Sequence, residues 1–207
     1  MNFDEIIAKG GPWKQARVIG DCLLLQGDCL EVMPLLGKVD AVVTDPPYGI
    51  GAHAGVGKYG RLRNYTGDWD NAAPSMDWLP DIPAIIWGGN CFHLPPSRAF
   101  LVWDKGAGFK GRDFAECERA WCSFDANARV FSYDPLAKGD YRGKQHPTQK
   151  PIALMEWCLG FLPDAKNYPR PIHGQRYNAC RLRKARPHWN RHRTGPELLR
   201  NRLHARG

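Results

Sequence analysis

The chain has 207 residues and a formal net charge of +8, a length that suits one domain with a sizeable core. No apolar run is long enough to span a membrane, and the opening MNFDEIIAKGG lacks the basic-then-apolar signature of a secretory signal. The seven cysteines (Cys22, Cys29, Cys91, Cys117, Cys122, Cys158 and Cys180) are scattered, odd in number and without C-x-x-C, which points to reduced thiols in a cytoplasmic protein and away from a disulfide framework or a zinc site.

In chain order, VIGDCLLLQGD (18–28) predicts a short strand ending in turn residues. CLEVMPLL (29–36) has apolar residues at helical spacing, with Pro34 shortening or kinking any helix. VDAVVTDPP (39–47) is a β-branched apolar run closed by Asp45 and two prolines. A run without alternation fits a strand buried on both faces, as in parallel α/β sheets. Ligands in such sheets sit beyond the carboxyl ends of the strands, where Asp45 falls. Residues 49–76, rich in Gly, Asn, Asp and Tyr, read as a long loop. PAIIWGGN (83–90) and AFLVWDK (99–105) are two further buried-strand patterns, with Trp87 and Trp103 as core residues. AWCSFDANARVFSY (120–133) reads as a pair of strands around a turn, and 134–147 as a loop. PIALMEWCLGFL (151–162) predicts an amphipathic helix with Pro151 in its first turn. After Lys166 the apolar periodicity ends, and the chain holds no internal repeats.

The charge is as uneven as the pattern. Residues 1–166 carry 18 Lys+Arg against 20 Asp+Glu, a net of −2. Residues 167–207 carry 11 against the single acid Glu197, a net of +10, and ten of those cations are Arg. The basicity therefore belongs to the tail alone and is not a general nucleic-acid surface.

Two motifs carry chemistry. Asp45-Pro46-Pro47-Tyr48 alone could simply end a strand with a turn, but His-Pro-Thr-Gln-Lys-Pro at 146–151 follows it, directly before a helix. Together and in this order, with LLLQGDCLEVM, IIWGGNCFHLPPSRAFLVWDK and ECERAW between or around them, they resemble the β-class of amino DNA methyltransferases. The resemblance covers about residues 20–166. It implies an α/β, Rossmann-like methyltransferase fold with permuted motif order, using S-adenosyl-L-methionine to methylate adenine N6 in double-stranded DNA. It also implies a catalytic domain over 1–166, with target recognition in 106–145, and leaves a homodimer open.

The roles it implies fit the chemistry. The lone pair of an exocyclic base amine is delocalised into the ring. Two acceptors aimed at its N–H bonds, Asp45 Oδ and the Pro46 carbonyl, would draw the nitrogen toward sp³ and the methyl donor. Pro46 and Pro47 stiffen the turn. Tyr48 would stack on the base after it is flipped from the duplex. Asp28 is a candidate for the cofactor's adenosine, with a simple turn acid as the equal alternative. Thr148, Gln149 and Lys150 would line the methionine end, Lys150 meeting its carboxylate. His146 shapes that loop.

Other signals are weaker. Gly55-Val56-Gly57-Lys58-Tyr59-Gly60 matches G-x-G-x-x-G but sits in a loop. Lys58, Arg61 and Arg63 suit phosphates or plain solvent. His188 and His192 have metal-ligand spacing without partner ligands, so no metal site is expected.

The family pattern breaks after Lys166. It should continue as roughly TILDPFMGSGTT, a strand and Gly-rich turn that hold the cofactor. The chain has NYPRPIHGQRYN at 167–178. Shifted codons, built from the last two bases of each codon and the first of the next, can encode TILDPFMGSGTT without a mismatch. In the same frame Glu197 to Leu203 can encode N-Y-F-E-I-A-C, like the family's closing helix. One extra base after the Lys166 codon accounts for both and makes 167–207 an out-of-frame, disordered tail. The C-terminal cofactor-binding strands are then missing, and the run Val39–Thr44 is left with an unpaired apolar edge.

Three alternatives stand beside adenine methylation. The clamp also serves cytosine N4. A non-enzymatic remnant would bind DNA through its tail. Methylation of RNA or of protein glutamine ranks lowest, because such relatives carry Asn at position 45 and lack HPTQKP.

Overall fold

The computed structural model describes residues 2–20, 22–51, 70–112, 114–142 and 148–162, and the backbone of two strands at 167–170 and 179–184. Gly55–Gly60, Lys58, Arg61, Arg63, His146, His188 and His192 lie outside the described residues.

The chain opens with α1 (Phe3–Lys9), which the sequence reading passed over. Asn2 caps it, its side chain accepting from the Asp4 N–H at 3.1 Å, with acids in the first turn and Lys9 in the last. The single strand expected over 18–28 is instead a hairpin, β1 (Gln15–Ile19) and β2 (Cys22–Gln26), turning at Gly20 with φ +54°. Next come α2 (Cys29–Val32) and one 3₁₀ turn, Met33–Leu35, so Pro34 does end the α-helix early. Then follow β3 (Val42–Thr44), β4 (Ala84–Trp87), β5 (Phe100–Asp104), β6 (Cys117–Cys122), β7 (Arg129–Ser132), α3 (Ile152–Leu159), β8 (Asn167–Arg170) and β9 (Ala179–Lys184).

The fold is mixed α/β. Its larger sheet has five strands in the order β3-β4-β6-β5-β7, and it is mixed, not parallel throughout. The β3–β4 and β5–β7 pairs are parallel, whereas β6 runs antiparallel to both its neighbours. A parallel neighbour needs a long crossover, usually a helix, and the short β5–β6 connection has only a 3₁₀ turn at Ala107–Phe109. The strand pair foreseen around 123–128 also differs: β6 and β7 do not pair, because β5 lies between them. Arg98, ahead of β5, bonds to that connection at the surface. Its guanidinium donates to both Asp125 carboxylate oxygens, at 2.7 and 2.8 Å, and to Asn127 Oδ1 at 2.8 Å. Because β6 is a central strand, part of the stretch expected to recognise target is core.

The strands β3 and β4 are buried on both faces, as their unbroken apolar runs require, whereas β5 alternates and β7 is mostly exposed. Val43, Ile85, Trp87, Leu101 and Trp103 pack with Leu154 and Cys158 of α3. Val42, Ile86 and Trp121 form the opposite face with Met76. The two tryptophans expected in the core are there, at 0% and 1% exposure. The helix α3 is less amphipathic than its pattern suggests. Trp157 turns to a partly buried aromatic row, its ring centroid 5.2 Å from Phe131 and 5.0 Å from Phe161.

The second sheet has the order β1-β2-β9-β8 and packs β2 with Phe3, Val32 and Leu36. Where the sequence leads one to expect an unordered tail, the backbone of 167–170 and 179–184 forms β8 and β9. The free edge of β2 offers unpaired N–H and C=O groups, and β9 fills it antiparallel, Cys22 opposite Arg183. In its own sheet β3 is hydrogen-bonded to β4 alone; β8 lies near it without joining its ladder.

Candidate functional site

The topology gathers charge at one edge of the five-stranded sheet. The carboxyl ends of β3, β4 and β5 and the amino end of β6 all face the same way. Asp45 follows β3, Gly88 follows β4, Lys105 follows β5, and Glu118 lies near the start of β6 opposite Trp103. Lys150, just before α3, enters the same place from 105 residues away.

Lys150 is the centre of the cluster. Its side chain is 2% exposed, and Nζ donates to Asp45 Oδ1 and Oδ2 at 2.8 and 2.9 Å. It also meets Glu118 Oε2 at 2.8 Å and the Tyr48 hydroxyl at 3.1 Å. The Tyr48 hydroxyl lies 2.9 Å from Asp45 Oδ1 and 3.1 Å from Glu118 Oε2. Glu118 spends its other oxygen on Lys105 Nζ, 2.7 Å away, and Lys105 lies 5.3 Å from the ring centroids of Trp103 and Phe109. Two carboxylates and two ammonium groups thus cancel in charge, the condition for burying four ions together.

The electrostatics follow from that packing. Burial opposes ionisation of Glu118, but Lys150 and then Lys105 outweigh it and bring its carboxyl down to about 2. Burial also works against the Lys150 ammonium, yet Asp45 and Glu118 hold its proton above the ordinary lysine range. Burial, then the charges of Asp45 and Glu118, push the Tyr48 phenol well above its usual value. Tyr141 is raised to about 12, by burial and then by Glu118. At neutral pH Glu118 is therefore a carboxylate, Lys150 an ammonium and Tyr48 a neutral phenol.

The backbone makes room for Tyr48. Gly88 has φ +70°, and a Cβ there would overlap the tyrosine ring; Phe92 closes the edge with centroids 6.3 Å apart. Asp70, 1% exposed, fixes the far side of the turn: Gly49 N–H donates to its carboxylate at 2.8 Å and Gly51 N–H to its carbonyl at 3.0 Å.

Of the residues the motifs single out, Asp45, Pro46, Pro47, Tyr48 and Lys150 come together. Asp28 does not join them. Asp28 is exposed, in the other sheet's region, and caps α2 by accepting the Leu30 N–H at 2.9 Å. This is the turn-acid alternative. Thr148 is exposed and Gln149 half-buried. Tyr48 spends its hydroxyl on the clamp, and Lys150, expected at a cofactor carboxylate, is held by two carboxylates of the chain itself. Glu118, Lys105 and Asp70 were missed. Their only sequence signal is an acid or lysine beside an apolar strand. Among the described residues no group of His, Cys, Asp and Glu could hold a metal, and no helix is long and apolar enough to cross a membrane.

No protein-family model matches the chain, and no match was found among curated proteins or among solved structures.

Proposed function

We propose that this site is the amine-holding half of a DNA methyltransferase, acting on adenine N6 with S-adenosyl-L-methionine as methyl donor. The observation that carries the reading is the meeting of two motifs distant in sequence: Lys150 sits on Asp45 at 2.8 Å, at the carboxyl end of a buried parallel strand. That is where an α/β sheet binds its ligand, and among the described residues it is where buried charged groups gather.

The chain's own residues do the following. Asp45 offers carboxylate oxygens in a rigid turn, and the Pro46 carbonyl is fixed by the same turn. A base amine arriving there competes with Lys150, which now donates to both Asp45 oxygens. Once it has, the acceptors draw the nitrogen's electron density toward the incoming methyl. Tyr48 stays anchored by its hydroxyl, which leaves its ring a fixed wall for a flipped base.

The donor's side is not assembled. S-adenosyl-L-methionine supplies an activated methyl group when bound, but the residues assigned to it do not fit a cradle: Asp28 caps a helix, Lys150 is engaged with Asp45 and Glu118, and the expected Gly-rich turn is replaced at 167–178. The chain as it stands therefore keeps the clamp and binds donor weakly or not at all. An out-of-frame tail accounts for this, and double-stranded DNA is the partner of the in-frame protein.

The test is to delete one base after the Lys166 codon, incubate the in-frame protein with labelled donor and duplex DNA, and analyse the nucleosides. Label in N6-methyladenine supports the reading. Label in N4-methylcytosine moves it to the other amine, and none in either contradicts it.

A further inference from the structure

Glu118 belongs to neither motif, yet it has two charged partners, as many as Lys150. The strand β6 brings it to the site edge between β4 and β5, and both its oxygens are used: Oε1 on Lys105, Oε2 on Lys150 and the Tyr48 hydroxyl. We infer that Glu118 is a positioning residue that, with Lys105 as its counter-charge, holds Lys150 and Tyr48 on Asp45 and receives Lys150 when an amine takes its place. The functional half of this inference rests on the methyltransferase reading. The structural half does not.

The charge balance carries it. Asp45, Glu118, Lys105 and Lys150 sum to zero, and Tyr48 and Tyr141 are the other titratable groups acting on them. Without Glu118, two ammonium groups share one carboxylate in a buried space, and one of them must lose its proton or move toward water. Asp45 alone cannot keep Lys150 once an amine competes for its oxygens. A second acceptor 2.8 Å away lets the ammonium change partner without being stranded. Lys105 in turn keeps Glu118 ionised while Lys150 moves.

The ¹⁵N NMR signal of the Lys150 ammonium reads this directly and needs neither donor nor DNA. It is assigned by its absence in Lys150→Arg. Glu118→Gln keeps the shape and removes the charge. It should speed proton exchange at Lys150 about tenfold or more, through loss of a charge-assisted hydrogen bond. Adding Lys105→Met restores neutrality and should recover most of the slow exchange. Unchanged exchange in Glu118→Gln, or no recovery in the double variant, overturns the proposal. Should Glu118→Gln fail to fold, Lys105→Met alone decides. It leaves Glu118 to Lys150, so exchange should slow, and equal exchange overturns the proposal. Failure of methyl transfer in the in-frame protein would remove the function and leave this result standing.

Discussion

The two sheets bury apolar surface in similar ways and differ at their open ends. The five-stranded sheet closes one end with side chains from three strands and a distant loop, which meet as ions between 2.7 and 2.9 Å. In the four-stranded sheet the edge of β2 is completed by a backbone ladder with β9. Backbone hydrogen bonding accepts almost any sequence. A site needs particular side chains in place.

Removing Asp45 should break the contrast most severely. In Asp45→Ala the buried Lys150 keeps one carboxylate of its two, Glu118, and loss of one partner of such a pair costs roughly 3–5 kcal/mol. In the in-frame protein, methyl transfer should also fall on the order of 10²–10³-fold, as for other preorganised polar groups. Thermal melts and single-turnover assays check the two effects.

Glycines at positive φ give a matched pair, one per sheet. Gly88→Ala meets both backbone strain and the Tyr48 ring, and should cost about 2–4 kcal/mol. Gly20→Ala, in the β1–β2 turn, has open space beyond its Cβ and should cost only the strain, about 1 kcal/mol. Denaturant melts compare them. Equal losses would mean that Tyr48 is not seated against Gly88.

Acid should expose the smallest difference. Glu118 is held from an ordinary 4.5 down to about 2, so its contribution is complete above pH 4.5 and is lost as pH falls toward 2. Between those values the unaltered chain should lose stability more steeply than Glu118→Gln. Parallel slopes would remove Glu118 from the ion network.

Local order was legible, and long-range order was legible only where a motif marked it. The β-branched run ending at Asp45 announces a buried strand, and β3 is one, because no solvent face needs alternation. Pro34 shortens its helix for the same local reason. The cap at Asn2 was readable too, since Asn followed three residues later by Glu is a helix start, but α1 was passed over. Glu118 and Lys105 are different. Glu118 meets Tyr48 across 70 residues, and no spacing rule records such a contact. The placement of β5 between β6 and β7 pairs Leu101 with Arg129, and no local pattern announces it. The resemblance indicated that Lys150 matters, but its ammonium had to be seen beside Asp45 before its present partner was known.

The central claim is that the amine side is built and the donor side is not. Calorimetric titration of S-adenosyl-L-methionine into the chain as it stands and into the in-frame protein tests this most directly. The account predicts saturable binding only in the in-frame protein. Equal, tight binding by both would show that residues 167–178 are not needed to hold the donor, and would contradict it.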